Sequence, residues 1–197
     1  MTPFWRIGLQ IVQWMQGWGA WLEPPMQLLS SLGQAQFYLV VMPALYWCLD
    51  SALGMRMALV LLLSSGINDT FKIALRQPRP FWISRQVQAL SHETSFGLPS
   101  GHAQQGLSVW GLLATACRPR WTRFVIYVVI ACIGLSCVYL AMHFPTDVLL
   151  GWALGALLLW SYLRLERPLG GWLSRRSRPQ QIGLSVLASL GCWGCRS

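Results

Sequence analysis

The chain alternates between long apolar runs and short polar connections. Runs with few or no charges cover residues 4–22, 33–49, 57–75, 103–117, 124–140 and 147–163. Most of these runs approach or reach the roughly 17 to 25 residues that a helix needs to cross the hydrocarbon core of a bilayer. The pattern predicts an all-α, polytopic transmembrane bundle of about six spans.

The first run is the most ambiguous, because its polar residues recur at helical spacing and form one stripe: Arg6, Gln10, Gln13 and Gly17. A helix with a single polar stripe suits either an in-plane helix at the membrane interface or a span packed against others. We expect a span with the stripe turned inward, ended by Glu23-Pro24-Pro25.

Composition supports a membrane protein, since 54% of the 197 residues are hydrophobic, 12 are Trp and only 11% are charged. This length suits one integral membrane domain over residues 1–197. No short apolar segment followed by a cleavage site opens the chain, so we expect no removed signal peptide. The apolar residues 182–195 are either a partial seventh span or a span that the sequence cuts short.

The net charge of +9 does not indicate nucleic-acid binding, because the Arg residues lie in short connections between apolar runs. Lys72 is the single lysine, which favours a functional role for it. The six cysteines are interpreted as packing residues; Cys192 and Cys195 have C-x-x-C spacing but lack the second pair of a zinc site. His92, in a polar connection, is expected at the surface.

A first polar cluster lies near the end of the third run. Lys72, Arg76 and Arg79 are spaced i, i+4, i+7, so they can share one helix face until Pro78 and Pro80 break the helix. The alternative is a patch of cations reaching toward the membrane interface. An anion-binding segment nearby would favour a functional cluster.

Such a segment is Pro99-Ser100-Gly101-His102, at the start of the fourth run. It supplies a hydroxyl, an imidazole and backbone N–H groups where a helix begins, a place that favours anions. A third segment ends in His143 and Asp147, with Pro145 suited to the first turn of a helix. The Asp147 carboxylate is placed to accept from His143 and fix its tautomer.

The three segments are separated by even numbers of predicted crossings, so all three are expected at the same membrane face. Nine basic residues lie toward the opposite face, in the connections at residues 56 and 118–123 and in the tail, against four in residues 72–85. The positive-inside rule therefore places this site at the non-cytoplasmic end.

Together the motifs Lys72-x6-Arg79-Pro80, Pro99-Ser100-Gly101-His102 and Ser136-x6-His143-x3-Asp147 resemble the signature of the type 2 phosphatidic acid phosphatase superfamily. The resemblance covers roughly residues 34–165, leaving 166–197 as a basic tail. It implies a metal-independent phosphatase without cofactor, acting on a lipid phosphate or diphosphate in the bilayer of a cell membrane.

The resemblance also implies roles for the residues. His143 would attack phosphorus to form a phosphohistidine, Asp147 would orient it, and His102 would protonate the leaving group. The phosphoryl oxygens would be held by Lys72, Arg79, the Ser100 hydroxyl and N–H groups near Gly101. A soluble sugar phosphate remains a second possible substrate.

One position departs from the family pattern: Cys137 stands where the third motif normally has Arg. Losing such a donor commonly costs roughly 10²- to 10³-fold in rate. Three explanations compete: Arg76 substitutes for it, the protein is an impaired enzyme that binds or transports lipid phosphates, or Cys137 is an introduced change. We favour substitution by Arg76.

Overall fold

The computed structural model describes residues 3–91, 93–180, 182 and 183, and these form helices and connections without a strand. The helices are α1 (Pro3–Gln16), α2 (Glu23–Ser31), α3 (Ala35–Cys48), α4 (Ser51–Leu75), α5 (Pro80–Ile83), α6 (Gly101–Gln105), α7 (Gly111–Ala116), α8 (Arg120–Tyr139) and α9 (Pro145–Ser174). A 3₁₀ turn at Ala20–Leu22 precedes α2, and a π-helical turn at Gly106–Trp110 joins α6 to α7. His92, the Cys192–Cys195 pair and most of the apolar segment 182–195 lie outside the described residues.

Three helical segments of the described chain are long and apolar enough to cross a membrane: Ser51–Ile83, Arg120–Tyr139 and Pro145–Ser174. A fourth crossing results if Ala20–Ser31 and Ala35–Cys48, which meet at a bend of 52°, form one broken span. The all-helical, multi-pass architecture predicted from the apolar runs is therefore confirmed. The number of six spans is not confirmed.

Helix α1 differs from the span expected over residues 4–22. Its 14 residues extend about 21 Å at 1.5 Å per residue, less than the roughly 30 Å hydrocarbon core. Gln13 Nε2 donates to Gln86 Oε1 (3.2 Å), and Gln16 Nε2 donates to the carbonyls of Gln88 (2.8 Å) and Tyr139 (3.2 Å). These partners lie after α5 and at the end of α8. Of the polar stripe only Gln13 takes part, and Arg6, Gln10 and Gly17 are exposed, so the stripe is not turned inward as expected. The geometry favours the in-plane alternative.

Helices α3 and α4 are joined by a short turn and pack against each other. Asp50 caps α4 by accepting from the backbone N–H groups of Ala52 (2.9 Å) and Leu53 (3.0 Å), which satisfies donors that a helix start leaves free. Pro43, a residue type that can kink a helix, lies inside α3. The 52° bend instead falls at the break between α2 and α3.

A cluster of buried apolar side chains supports the C-terminal end of α8. Its members come from α1, from α8 and from the turn before α9, and include Leu9, Val12, Met15, Val138, Tyr139, Met142 and Phe144. Packing from both sides fixes the turn that carries His143. Ala141 within this turn has a left-handed φ of 59°, a strained conformation for a residue with a Cβ.

The chain divides within α9 into two compact units, residues 1–159 and 160–197. In the second unit, the Arg164 guanidinium lies over the Trp160 ring at 5.6 Å and that of Arg176 over Trp172 at 4.7 Å. Such cation–π contacts fit a basic segment rich in Trp.

Candidate active site

The start of α6 is fastened to α4 through buried amides. Asn68 Nδ2 donates to Gln104 Oε1 (2.9 Å) and to the Pro99 carbonyl (3.4 Å). Gln104 Nε2 in turn donates to the Ser64 carbonyl at 3.0 Å. Buried amides are costly unless hydrogen-bonded, so this network holds the residue 99–102 segment against α4 in one arrangement.

The same segment is fastened to α9. The Ser100 N–H donates to the Asp147 carbonyl at 3.0 Å. Gly151 allows the close approach, since a Cβ there would lie 2.6 Å from the Ser100 carbonyl oxygen; at Gly155 it would lie 2.7 Å from that of Gln104. The G-x-x-x-G of the sequence is thus a packing face against α6.

These elements converge and bring the rings of His102 and His143 next to each other, with the edge of one toward the face of the other. Their ring centroids are 6.3 Å apart with an interplanar angle of 62°. Both side chains are buried, and His102 Nε2 has no hydrogen-bond partner within the described part of the chain. Two imidazoles in this relation can act from opposite sides on one substrate atom.

Arg79 determines the orientation of the His143 ring. Its Nη1 lies 3.5 Å from His143 Nε2 and donates to the Met142 carbonyl at 2.8 Å. Because a guanidinium can only donate, the Nε2 atom facing it is assigned the lone pair and Nδ1 the proton. The nucleophilic lone pair then faces the cations of the site.

Asp147 lies on the other side of that imidazole. Its Oδ2 is 3.6 Å from His143 Nδ1, slightly beyond hydrogen-bonding distance, and accepts from the Phe144 N–H at 2.9 Å. The carboxylate therefore faces the protonated nitrogen, and its hydrogen bond to the Phe144 backbone holds it in place.

The electrostatic surroundings keep His143 neutral. Burial, followed by the positive charges of Arg79 and Lys72, lowers the pKa of His143 well below its ordinary value. An imidazole with this pKa is unprotonated at pH 7 and has a free lone pair.

Ser95, from the polar connection after α5, joins the two cations. Its Oγ accepts from Lys72 Nζ at 2.9 Å and from Arg79 Nη2 at 3.0 Å, and its carbonyl accepts from Arg79 Nε at 2.7 Å. Arg79 is fully buried, with Glu93 Oε2 at 3.8 Å as an acidic partner. The connection thus positions both cations beside the histidines.

Arg76 and Cys137 occupy different environments. Arg76 begins the break after α4 with a left-handed φ of 46°, is exposed, and its Nε donates to the Ile73 carbonyl at 3.1 Å. The structure does not bring it into the cluster. Cys137 is fully buried in α8, and its carbonyl accepts from the N–H groups of Met142 and His143.

Sequence reasoning missed Ser95 and Gln104 as supports of the site. Ser95 lies in a connection without periodicity, so no local signal distinguishes it from its neighbours. Gln104 has a signal, since it is an amide within an apolar run, as Asn68 is in its own run. Polar groups at such positions usually face a protein interior.

The chain is similar in sequence to known proteins. A family model described as the PAP2 superfamily matches residues 53–169. Human glucose-6-phosphatase 3 is 30% identical over 178 residues, covering 78% of this chain and 51% of that protein. Phosphatidylglycerophosphatase B from Bacillus subtilis is 28% identical over 151 residues, covering 70% and 72%. The chain thus spans about half the length of glucose-6-phosphatase 3.

A solved structure shares the fold. The crystal structure of a transmembrane PAP2 type phosphatidylglycerolphosphate phosphatase from Bacillus subtilis superimposes with a TM-score of 0.67 at 24% identity, over 84% of this chain and 93% of the other. The family match, residues 53–169 of 197, covers more than half of the chain. The chain belongs to the PAP2 superfamily, which confirms the resemblance carried by its three motifs.

Proposed function

We propose that this protein is a metal-independent phosphatase that hydrolyses a lipid phosphate or diphosphate through a phosphohistidine intermediate. The observation that carries the proposal is the buried pair His102 and His143, facing each other beside Lys72 and Arg79. A site that only binds a phosphate anion would need Lys72 and Arg79, but it would not need the two imidazoles.

In the first step His143 Nε2 attacks phosphorus, and the bond from phosphorus to the ester oxygen breaks. The leaving oxygen takes a proton from His102, whose protonated form is favoured by the negative phosphate beside it. Lys72, Arg79, the Ser100 hydroxyl and the Gly101 N–H stabilise the phosphoryl oxygens. Asp147 compensates the positive charge that develops on the His143 ring.

In the second step a water molecule attacks the phosphohistidine. His102, now neutral, takes the proton of this water, the bond from phosphorus to His143 breaks, and inorganic phosphate leaves. Both histidines return to their starting protonation states. Most of the lipid tail stays in the bilayer, so the substrate reaches the site from within the membrane.

The choice of a lipid substrate is supported by the multi-pass architecture and by relatives named for phospholipid phosphates. A sugar phosphate is the second candidate, because glucose-6-phosphatase 3 is also similar. None of these relatives favours the alternative of a binding or transport protein.

The test is phosphate release by purified, detergent-solubilised protein from a panel of lipid phosphates and glucose 6-phosphate, in the presence of a chelator. We expect release by the parent and a loss of at least about 10³-fold in His143→Ala. His102→Ala should still release p-nitrophenol from p-nitrophenyl phosphate, whose leaving group needs no proton, and then accumulate the phosphoenzyme, because the second step lacks its base; it should not react with an alkyl phosphate.

The intermediate is checked by quenching the reaction with ³²P-labelled substrate, which should label the parent and not His143→Ala. Release that depends on added metal would contradict the proposal. Lipid-phosphate binding without release would instead establish the binding protein.

A further inference from the structure

A cavity lies beside the turn that carries His143, outside the cluster of histidines and cations. It measures about 250 Å³ and is lined by Ile7, Gly8 and Ile11 of α1 and by Phe144, Pro145 and Thr146. Apart from the Thr146 hydroxyl, its side chains are apolar. We call this cavity the α1 groove.

The α1 groove and the catalytic pair share one turn of the chain. Residues 144–146 stand between His143 and Asp147, and consecutive Cα atoms are about 3.8 Å apart. The Phe144 backbone holds Asp147 through the 2.9 Å hydrogen bond from its N–H. Its ring packs on α1, where a Cβ at Gly8 would come within 2.7 Å. One side of Phe144 thus supports the site while its ring forms a wall of the groove.

The side chains around α1 are those expected at a membrane interface. Its Gln13 and Gln16 bind the polar connection after α5, whereas Trp14 and Trp18 are 65% and 44% exposed. Exposed tryptophans of this kind are typical of the interface between headgroups and acyl chains. The exposed Arg6 next to Ile7 adds a positive charge that attracts anionic headgroups.

We infer that the α1 groove binds the first carbons of the hydrocarbon chain of a phosphorylated lipid whose phosphate lies at His143. The inference rests on the proposed function and specifies its substrate class as a lipid with the chain close to the phosphate. A chain that leaves the bilayer for the groove exchanges one apolar environment for another. Its contribution is therefore orientation of the phosphate toward His143 rather than tight binding.

The test fills the groove without touching the histidines. Ile7→Trp and Ile11→Trp add bulk to its wall, and Leu39→Trp, at a side chain of α3 that is 68% exposed, is the matched control. Each variant is assayed with didodecanoyl phosphatidic acid and with p-nitrophenyl phosphate. We expect kcat/KM for the lipid to fall by about tenfold or more in the two groove variants, with the chainless ester and the control unchanged.

Equal losses on both substrates, or no loss on either, would overturn the inference. A photoreactive phosphatidic acid with a diazirine near the headgroup tests the groove independently of turnover. We expect it to label α1 or the residue 144–146 turn more strongly than the corresponding diacylglycerol does. Equal labelling by the two probes would mean that the groove is contacted only by lipids of the surrounding bilayer. This result would overturn the inference even in an active enzyme. If the parent hydrolyses neither substrate, the proposed function fails and the labelling alone decides the groove.

Discussion

Ser95 is the residue on which the geometry of the cations depends, because it contacts both Lys72 and Arg79. Its hydroxyl is uncharged, and its role does not require contact with the substrate. Its role is to position two cations that would otherwise repel each other. Hydrogen bonds to charged groups are among the stronger ones in proteins.

We therefore expect Ser95→Ala to lower kcat/KM by roughly tenfold, the equivalent of one such hydrogen bond. Thermal unfolding should change little, and Ser95→Thr, which keeps the hydroxyl, should restore most of the rate. Ser84→Ala, in the same connection, is the control, since the one hydrogen bond of Ser84 Oγ within the described part of the chain is accepted from the Gln86 N–H. A Ser95→Ala rate equal to that of the parent would contradict the role.

An Arg at position 137, where the family pattern normally has one, would affect both stability and rate. The site already contains the buried Arg79 and the partly buried Lys72, so an Arg at position 137 would add a third positive charge beside them. An unpaired buried charge costs about 3 kcal/mol or more. Bound phosphate supplies the missing negative charge, and an added donor is worth about 10²-fold in rate.

Cys137→Arg is accordingly expected to unfold at a lower temperature than the parent without anion, to regain stability with inorganic phosphate, and to turn over faster. Cys137→Ser, with a side chain of similar size, serves as the control and should show neither effect. Arg76→Ala tests the remaining explanation, that Arg76 substitutes for the Arg missing at position 137. In the structure Arg76 binds the Ile73 carbonyl, so compensation would require its side chain to leave that contact, and unchanged turnover in Arg76→Ala would exclude it.

Among the elements, the packing of α9 on α6 decides whether the motifs meet. Gly151 lies where the two helices touch, and a Cβ there would come within 2.6 Å of the Ser100 carbonyl and 3.1 Å of Ala103 Cβ. A backbone atom cannot move aside as a flexible side chain can. The close approach also allows the hydrogen bond from Ser100 to the Asp147 carbonyl.

Gly151→Ala should therefore lower stability by about 1 to 3 kcal/mol and reduce turnover, because Ser100 is pushed away from Asp147. Gly66→Ala is the matched control, since nothing lies within 4 Å of a Cβ at that position of α4. It should be neutral or stabilising by up to about 1 kcal/mol. Unfolding temperature and phosphate release together check this; equal behaviour of the two variants would refute it.

At the scale of the whole molecule, the distribution of basic residues predicts that the site faces the non-cytoplasmic side. The prediction is checked with single cysteines in a background without the native ones. We expect a membrane-impermeant maleimide applied to intact cells to label Gln88→Cys, near the site, and not Pro119→Cys, between α7 and α8. The reverse pattern would mean a cytoplasmic site.

The sequence predicts features that depend on neighbouring residues, and it does not predict contacts between residues far apart in the chain. The apolar run over residues 57–75 and the break at Pro78 follow from local apolar content and proline chemistry. The structure has the break and a helix over this run, although the helix begins earlier, at Ser51. The character of α1 did not follow, because the same polar stripe fits a span or an in-plane helix. It hydrogen-bonds to Gln86 and Gln88, which lie more than seventy positions further along the chain. No periodic pattern in the sequence predicts contacts of this range.

The sequence by itself determined that the chain is a helical membrane protein of the PAP2 superfamily and that its three motifs meet at one end, since apolar runs and motif spacing are local properties. Only the tertiary structure decided that Ser95 joins Lys72 and Arg79, that Arg76 faces away from the cluster, and that α1 forms an apolar groove beside His143. These features depend on which helix faces pack together, and packing is decided by contacts between residues far apart in the chain.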